Sequence, residues 1–133
     1  MPSITLGQFS TAYDSFGQGP RTIVMVQGLG LDRHAWGPLG QLLAQRHRVV
    51  TFDARGAGEA RDAGAPFSTV DMAHDVIALC QALGLEQPVL MGFSLGGCVA
   101  QHAAALAPDL LSGLVLLSTV ARPSARSAEL LAV

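Results

Sequence analysis

One local pattern recurs along the chain: a short apolar run, a loop that contains glycine, and a segment with apolar residues at helical spacing. The apolar runs are nearly continuous, which is typical of strands buried on both faces of a sheet. Strands that alternate with helices in this way predict an α/β fold with a mostly parallel sheet, helices on both faces and right-handed crossovers. The predicted strands cover residues 21–26, 48–52, 88–93 and 113–117, and the predicted helices cover residues 36–46, 69–83 and 96–106.

Local signals refine this pattern. Between Ile4 and Phe16, short stretches of alternating apolar residues predict one or two antiparallel strands before the first buried strand. Ser68 or Thr69 can cap the second helix, and Gly84 can end it. The apolar stripe expected to face the core of that helix is Val70, Ala73, Ile77, Cys80 and Leu83, and Val99, Ala103 and Leu106 form the stripe of the third helix.

Composition narrows the functional class. The 133 residues correspond to one domain, 1–133, and 50% hydrophobic residues are enough to form a core. Eight arginines are scattered along the chain, lysine is absent and the net charge is −2, so we expect neither nucleic acid nor an anionic membrane as a partner. The absence of lysine excludes Schiff-base and Walker-type phosphate chemistry. No cofactor is therefore expected.

The two cysteines and the search for targeting or membrane-spanning segments add little to the functional assignment. Cys80 and Cys98 lack the spacing of a disulfide framework or a metal site, so we expect two buried thiols and no bound metal. A signal peptide or membrane span is not apparent, and the expected location is cytoplasmic.

The strongest chemical motif is Gly92-Phe93-Ser94-Leu95-Gly96-Gly97, which follows a predicted strand and opens a predicted helix. This G-x-S-x-G arrangement is typical of a nucleophile elbow, in which glycines allow a sharp turn that exposes the serine hydroxyl. Ser94 is the candidate nucleophile. The backbone N–H of Leu95, at the helix N-terminus, is one candidate donor to a developing oxyanion.

A second loop, Gln27-Gly28-Leu29-Gly30, follows the first buried strand. The carboxyl ends of parallel strands meet at one edge of a sheet, where ligands bind. The N–H of Leu29 is therefore the candidate second donor of an oxyanion hole. Gly28, His34 and Phe93 are the candidate substrate-binding residues.

These motifs, together with Phe52-Asp53-Ala54-Arg55-Gly56-Ala57-Gly58, resemble the amino-terminal half of an α/β-hydrolase. In particular, the chain resembles the small bacterial enzymes of the 3-oxoadipate enol-lactonase and cofactor-free haloperoxidase type. It implies an eight-stranded sheet of which the first six strands are encoded here, truncated before the cap and the last strands. It also implies that the sixth strand, residues 113–117, is covered by a seventh strand in the family.

The sequence departs from the family pattern at three places. Gln27 stands where the family commonly has histidine, and Ala60 stands where a serine is usual. The third departure concerns the catalytic triad. By resemblance, the acid and the histidine lie beyond the end of this chain, although Ser118 and Arg122 occupy a segment where some members place the acid.

Apart from His34, the other histidines and the remaining chemically reactive side chains are expected to have structural or surface positions. His34 is expected to border the site, whereas His47 precedes a strand at the opposite end of the sheet. His74 and His102 lie on predicted helices and are expected at the surface. Asp53 and Arg55 are expected to form an ion pair that fixes their loop. Cys98 is expected to be packed rather than reactive.

Two functional hypotheses follow. The first is a serine hydrolase that cleaves an ester or lactone of a small carboxylic acid through an acyl-enzyme, with Asp and His supplied by a missing C-terminal half or a second chain. Without that base, this chain alone is expected to be nearly inactive. The second is a catalytically inactive truncated hydrolase that acts as a binding or interaction module. The expected partners are the small substrate and either the C-terminal half as a separate chain or a second copy paired through residues 113–117, which would otherwise form an uncovered edge strand.

Overall fold

A computed structural model describes residues 2–122 and contains a six-stranded sheet. The strands are β1 (Ser3–Leu6), β2 (Phe9–Phe16), β3 (Thr22–Val26), β4 (Arg48–Phe52), β5 (Val89–Phe93) and β6 (Gly113–Leu117). Their order is β1-β2-β4-β3-β5-β6. β1 and β2 pair antiparallel, β2 pairs antiparallel with β4, and the other pairings are parallel. The predicted mostly parallel sheet and the opening antiparallel strands are confirmed.

The first helical region differs from the prediction of one helix over residues 36–46. A 3₁₀ turn (Arg33–Trp36) comes first, and the helix α1 (Gly37–Leu43) follows it. Asp32 caps the turn by accepting a hydrogen bond from the N–H of His34 at 2.9 Å. The helix begins late because Pro38 is favoured in a first turn, where its missing N–H costs no hydrogen bond.

The second helix, α2 (Thr69–Ala82), begins at the predicted residue and ends one residue before the predicted end. Ser68 is the N-cap and exchanges hydrogen bonds with Asp71 in a capping box, and Gly84 follows the helix with φ +64°. The predicted buried stripe is wrong at Val70, which is exposed because it lies in the first turn on the side away from the sheet. Ala73 and Cys80 are buried as predicted, together with Met72, Asp75, Val76 and Leu79.

The third helix, α3 (Leu95–Leu106), packs with α2 against one face of the sheet. Val99 and Ala103 are buried as predicted, but Leu106, in the last turn, is exposed. The opposite face carries Trp36 and Leu43, which pack on Ile23 and Met25 of β3. Because alternate residues of β3 enter two separate cores, its sequence is apolar throughout. Helices on both faces are confirmed.

The prediction that residues 113–117 form a buried strand is wrong. β6 alternates between half-buried and exposed residues, and Leu114 and Leu116 are 37% and 42% exposed. The reason is position, since within residues 2–122 β6 pairs with β5 and has no neighbour on its other side. The expectation of an uncovered edge strand therefore holds for this part of the chain.

The two cysteines differ in their surroundings. Cys80 is fully buried, and burial raises the pKa of its thiol to about 11. Cys98, in the first turns of α3, is half-buried, so the expectation of two buried thiols is wrong for this residue. Its sulfur lies 3.7 Å from the Thr119 hydroxyl, at a surface position rather than in the core.

This difference predicts the order of thiol labelling. In the native protein, iodoacetamide should modify Cys98 well before Cys80, because Cys80 is inaccessible and holds about 100-fold less thiolate than it would with its ordinary pKa. Peptide mass spectrometry after timed quenching measures both rates. In urea the two rates should converge, and equal rates in the native protein would contradict the burial of Cys80.

Candidate active site

Ser94 occupies the turn between β5 and α3 and has a strained backbone. Its φ of 54° and ψ of −119° lie in a region that residues other than glycine rarely adopt. The expected sharp strand-to-helix turn is therefore present at this serine. Within residues 2–122, the hydrogen bonds that Ser94 makes all involve its backbone, so its hydroxyl is not held by another side chain of that part of the chain.

The flanking glycines are required by close backbone approaches. A Cβ atom at Gly92 would overlap the carbonyl oxygen of Gly96, and a Cβ atom at Gly96 would overlap the carbonyl oxygen of Val26. The helix after Ser94 therefore starts in direct contact with the end of β3. A larger residue at either position would separate the elbow from the neighbouring strand.

Thr119, which sequence reasoning missed, holds the elbow from the other side. Its hydroxyl donates to the carbonyl oxygen of Ser94 at 2.7 Å, and the N–H of Ser94 donates to the carbonyl oxygen of Leu117 at 3.0 Å. A Cβ atom at Gly97 would overlap the Thr119 side chain. Gly97, the second glycine after the serine, was the available signal, because G-x-S-x-G itself does not require it.

The loop after β3 reaches the elbow at Gly28. A Cβ atom there would lie 3.3 Å from Ser94 Cβ and 3.3 Å from the ring of Phe93, so the peptide leading to Leu29 passes beside the serine. Leu95 is in the first turn of α3, where backbone N–H groups have no acceptor within the helix. The structure thus brings Gly28, Phe93 and Ser94 together. That the N–H groups of Leu29 and Leu95 converge on one oxyanion stays a prediction.

Both ends of this loop are fastened to the end of β4. The side-chain amide of Gln27 donates to the carbonyl oxygen of Phe52 at 2.9 Å and accepts from the indole of Trp36 at 3.3 Å. At the far end, the N–H of Arg33 donates to Asp53 at 2.8 Å. Gln27 therefore braces the loop through its side chain.

The expected ion pair between Asp53 and Arg55 is wrong. Asp53 is fully buried and pairs with Arg33 at 2.6 Å, and Arg33 also pairs with Asp14 at 2.9 Å and with Glu59 at 3.0 Å. Burial tends to lower the pKa of Arg33, but the three carboxylates outweigh it and raise that pKa. The guanidinium therefore stays charged.

Arg55 instead extends to α2. Its guanidinium donates two hydrogen bonds to Asp75, at 2.9 and 2.8 Å, and lies 5.3 Å from the ring centroid of Phe9. Burial raises the pKa of Asp75, although Arg55 opposes that shift. Arg55 and Asp53 thus fix their loop as expected, but through separate partners on two sides.

An apolar cleft of about 230 Å³ opens beside the elbow. Three lining residues stand at the carboxyl ends of adjacent strands, and the others belong to the following loop, the 3₁₀ turn and α1. The lining residues are Gln27, Leu31, Ala35, Trp36, Leu39, Phe93 and Leu117. Of the candidate substrate-binding residues, Phe93 is part of this cleft.

The sequence profile of the alpha/beta hydrolase fold matches residues 21–131. The chain belongs to this family. A protein of Variovorax paradoxus (strain S110), named as the carbamate hydrolase RutD, is 37% identical over 111 residues, which are 80% of this chain and 41% of the relative. The resemblance inferred from the motifs is confirmed at the level of the family.

Solved structures show the same fold. A thermophilic esterase from Thermogutta terrifontis superposes with a TM-score of 0.85 at 35% identity, covering 95% of this chain and 46% of the esterase. The enol-lactonase from Burkholderia xenovorans LB400 superposes with a TM-score of 0.86 at 27% identity, covering 91% and 48%. This hydrolase-fold chain spans about two fifths of the length of the curated relatives it matches.

Within residues 2–122, no histidine of this chain hydrogen-bonds to Ser94. His74 and His102 are exposed on α2 and α3, and His47 precedes β4. His34 is exposed and lines another cavity, of about 380 Å³, together with Asp14, Gln41 and Thr51. The structure therefore places His34 and Phe93 in different cavities. A role for His34 in binding substrate stays a prediction.

Among residues 2–122, no group of three or more histidine, cysteine, aspartate or glutamate side chains is arranged to hold a metal ion. Over the same residues, no helix has both the length and the apolar character needed to cross a bilayer.

Proposed function

We propose that this chain supplies the nucleophile and the oxyanion hole of a serine hydrolase that cleaves an ester or lactone of a small carboxylic acid. The observation that carries the proposal is the strained elbow at Ser94. At Gly96 the elbow contacts the end of β3, and the backbone at Gly28 passes beside the serine. Strain of this kind persists where the surrounding structure enforces it, typically at functional sites.

In the proposed reaction, Ser94 Oγ attacks the substrate carbonyl carbon and the negative charge develops on the carbonyl oxygen. The N–H groups of Leu29 and Leu95 stabilise that oxygen. The alcohol portion leaves with a proton, and water then hydrolyses the acyl-enzyme. The proton transfers need a histidine and its acid, which we assign to protein outside residues 2–122, in the same polypeptide or a second one.

The relatives support this chemistry without fixing the substrate. The chain resembles an esterase, an enol-lactonase and a protein named as a carbamate hydrolase, and all three names describe attack on a carboxyl-type carbon. An ester or lactone substrate is the proposal that two of the three names favour. A cytoplasmic location stays a prediction.

Acylation of Ser94 tests the proposal directly. The full chain is incubated with 4-nitrophenyl acetate, and its tryptic peptides are analysed for one added acetyl group. We expect the acetyl group to accumulate slowly on the peptide that contains Ser94, because an oxyanion hole retains part of the catalysis of an activated ester even without the triad base. It should persist, because no histidine within residues 2–122 hydrogen-bonds to Ser94 to activate the water that deacylation needs.

The controls separate elbow chemistry from general serine reactivity. Ser94→Ala should lose the label, and Ser112→Ala, which alters an exposed serine before β6, should keep it. Labelling that is spread over exposed serines, or that survives in Ser94→Ala, would refute the nucleophile assignment.

A second candidate function is a binding or interaction module with an intact cleft and no catalysis. Such a module would need no general base, and none of His34, His47, His74 and His102 hydrogen-bonds to Ser94 within residues 2–122. Absence of Ser94 acylation together with retained ligand binding in the cleft would support this function over the first.

For the partner, we propose strand pairing at β6. Its outer edge is unpaired within residues 2–122, and its sequence, Gly-Leu-Val-Leu-Leu, contains no charge or proline to discourage pairing. The pairing strand would come from the remainder of a hydrolase fold or from a second copy. Sedimentation at micromolar concentration tests this, since Val115→Lys should reduce association and a monomeric wild-type chain would contradict it.

A further inference from the structure

We propose that the cleft beside Ser94 binds one uncharged, apolar arm of the substrate and rejects an arm that ends in a carboxylate. This inference rests on the proposed function and specifies the substrate class for that site. It concerns the 230 Å³ cleft between the loop after β3 and the ends of β5 and β6.

The first argument is the chemistry of the lining. Gln27 and Trp36 carry the side-chain polar atoms of the cleft, and those atoms are already engaged with each other and with the carbonyl oxygen of Phe52. The other five lining side chains are hydrocarbon. A carboxylate that entered would lose hydration and gain no hydrogen-bond donor from these side chains, which is costly.

The second argument is the placement of cationic groups. Arg33 is the arginine nearest in sequence to the cleft residues, but it is buried among three carboxylates and lines the separate 380 Å³ cavity. Within residues 2–122, no arginine lines the apolar cleft, and the sequence contains no lysine. This part of the chain therefore offers a substrate carboxylate in the cleft no counter-charge.

The third argument is position and size. Phe93 lines the cleft and precedes Ser94, and Gly28 packs against both, so a substrate carbonyl at Ser94 has the cleft beside it. An apolar cavity of roughly 150 Å³ accommodates benzene. At about 230 Å³, this cleft accepts an arm at least as large as a phenyl ring.

The fluorescence of Trp36 can measure ligand binding in the cleft. Trp36 lines the cleft and is the one tryptophan of the chain, so its fluorescence reports occupancy. The full chain is titrated with butanamide, hexanamide and adipamic acid. Adipamic acid is hexanamide with its terminal methyl group replaced by a carboxylate. Affinity should rise about fourfold for each added methylene, and adipamic acid should bind about tenfold or more weakly than hexanamide.

Two matched variants locate the binding. Leu39→Glu places a carboxylate at the cleft and should weaken hexanamide binding about tenfold. Leu42→Glu, at an exposed position of the same helix outside the cleft, should leave it unchanged. Both residues are at the surface, so both variants should remain folded.

The outcomes separate this inference from the proposed function. Equal affinity for hexanamide and adipamic acid, or affinity independent of chain length, would overturn the inference even if Ser94 is acylated. Discrimination between the probes without acylation of Ser94 would support the apolar cleft and refute the hydrolase proposal.

Discussion

Gly96→Ala should destabilise the protein by more than about 3 kcal/mol, one of the two largest effects that we expect from a single substitution. The added methyl group would overlap the backbone carbonyl of Val26, and a backbone atom cannot rotate away as a flexible side chain can. Relief requires α3 to move away from β3, which also displaces Ser94. The free energy of unfolding from urea titration and the acylation of Ser94 should therefore fall together.

Gly113→Ala is the matched control for this effect. Gly113 also lies in a regular element, the strand β6 rather than the helix α3, but a Cβ atom there would meet nothing within 4 Å. Its stability change should stay within about 1 kcal/mol and favour the variant, because glycine weakens strand interiors. Similar losses in the two variants would show that backbone overlap at the elbow is not the cause.

Arg33→Met should cost about 3–5 kcal/mol, because it keeps the length of the side chain but leaves Asp53 fully buried without its cation. The loss should also loosen the loop that ends at Arg33, since the same aspartate accepts from the N–H of residue 33. Urea unfolding measures the first effect. Hydrogen exchange of the loop amides measures the second.

A double variant isolates the pair. Arg33→Met combined with Asp53→Asn removes both charges and should recover part of the loss, so the two single effects should not add. Arg61→Met, which removes an exposed arginine, should change stability by less than about 0.5 kcal/mol. Strict additivity of the two buried substitutions would contradict a direct pairing between them.

The sheet was predictable because its signal is local. The continuous apolar runs mark the parallel strands, and the capping pattern at Ser68 and the glycine at 84 mark both ends of α2. The face of α2 was less predictable, since apolar residues occur around much of that helix. Which of them are buried depends on how α2 packs against α3, and a single helix sequence does not contain that information.

The residues of the candidate site likewise divide into those with a local sequence signal and those whose contacts depend on the fold. Ser94 and its glycines could be predicted because strain and close approach restrict which residues a sharp turn accepts. The partners of Asp53 could not, because Arg33 is 20 residues away and reaches it through the fold, whereas Arg55 is near in sequence and points elsewhere. Thr119 was missed for the same reason, since it meets Ser94 across 25 residues.

The elbow and the loop that faces it are attached to different strands. The loop is tied to the end of β4, inside the sheet, whereas the elbow is tied through Leu117 and Thr119 to the end of β6, an outer strand in the described part of the chain. Outer strands open more readily than inner ones. We therefore expect heat or mild denaturant to disorder the nucleophile first, so that reactivity disappears while most of the sheet is still folded.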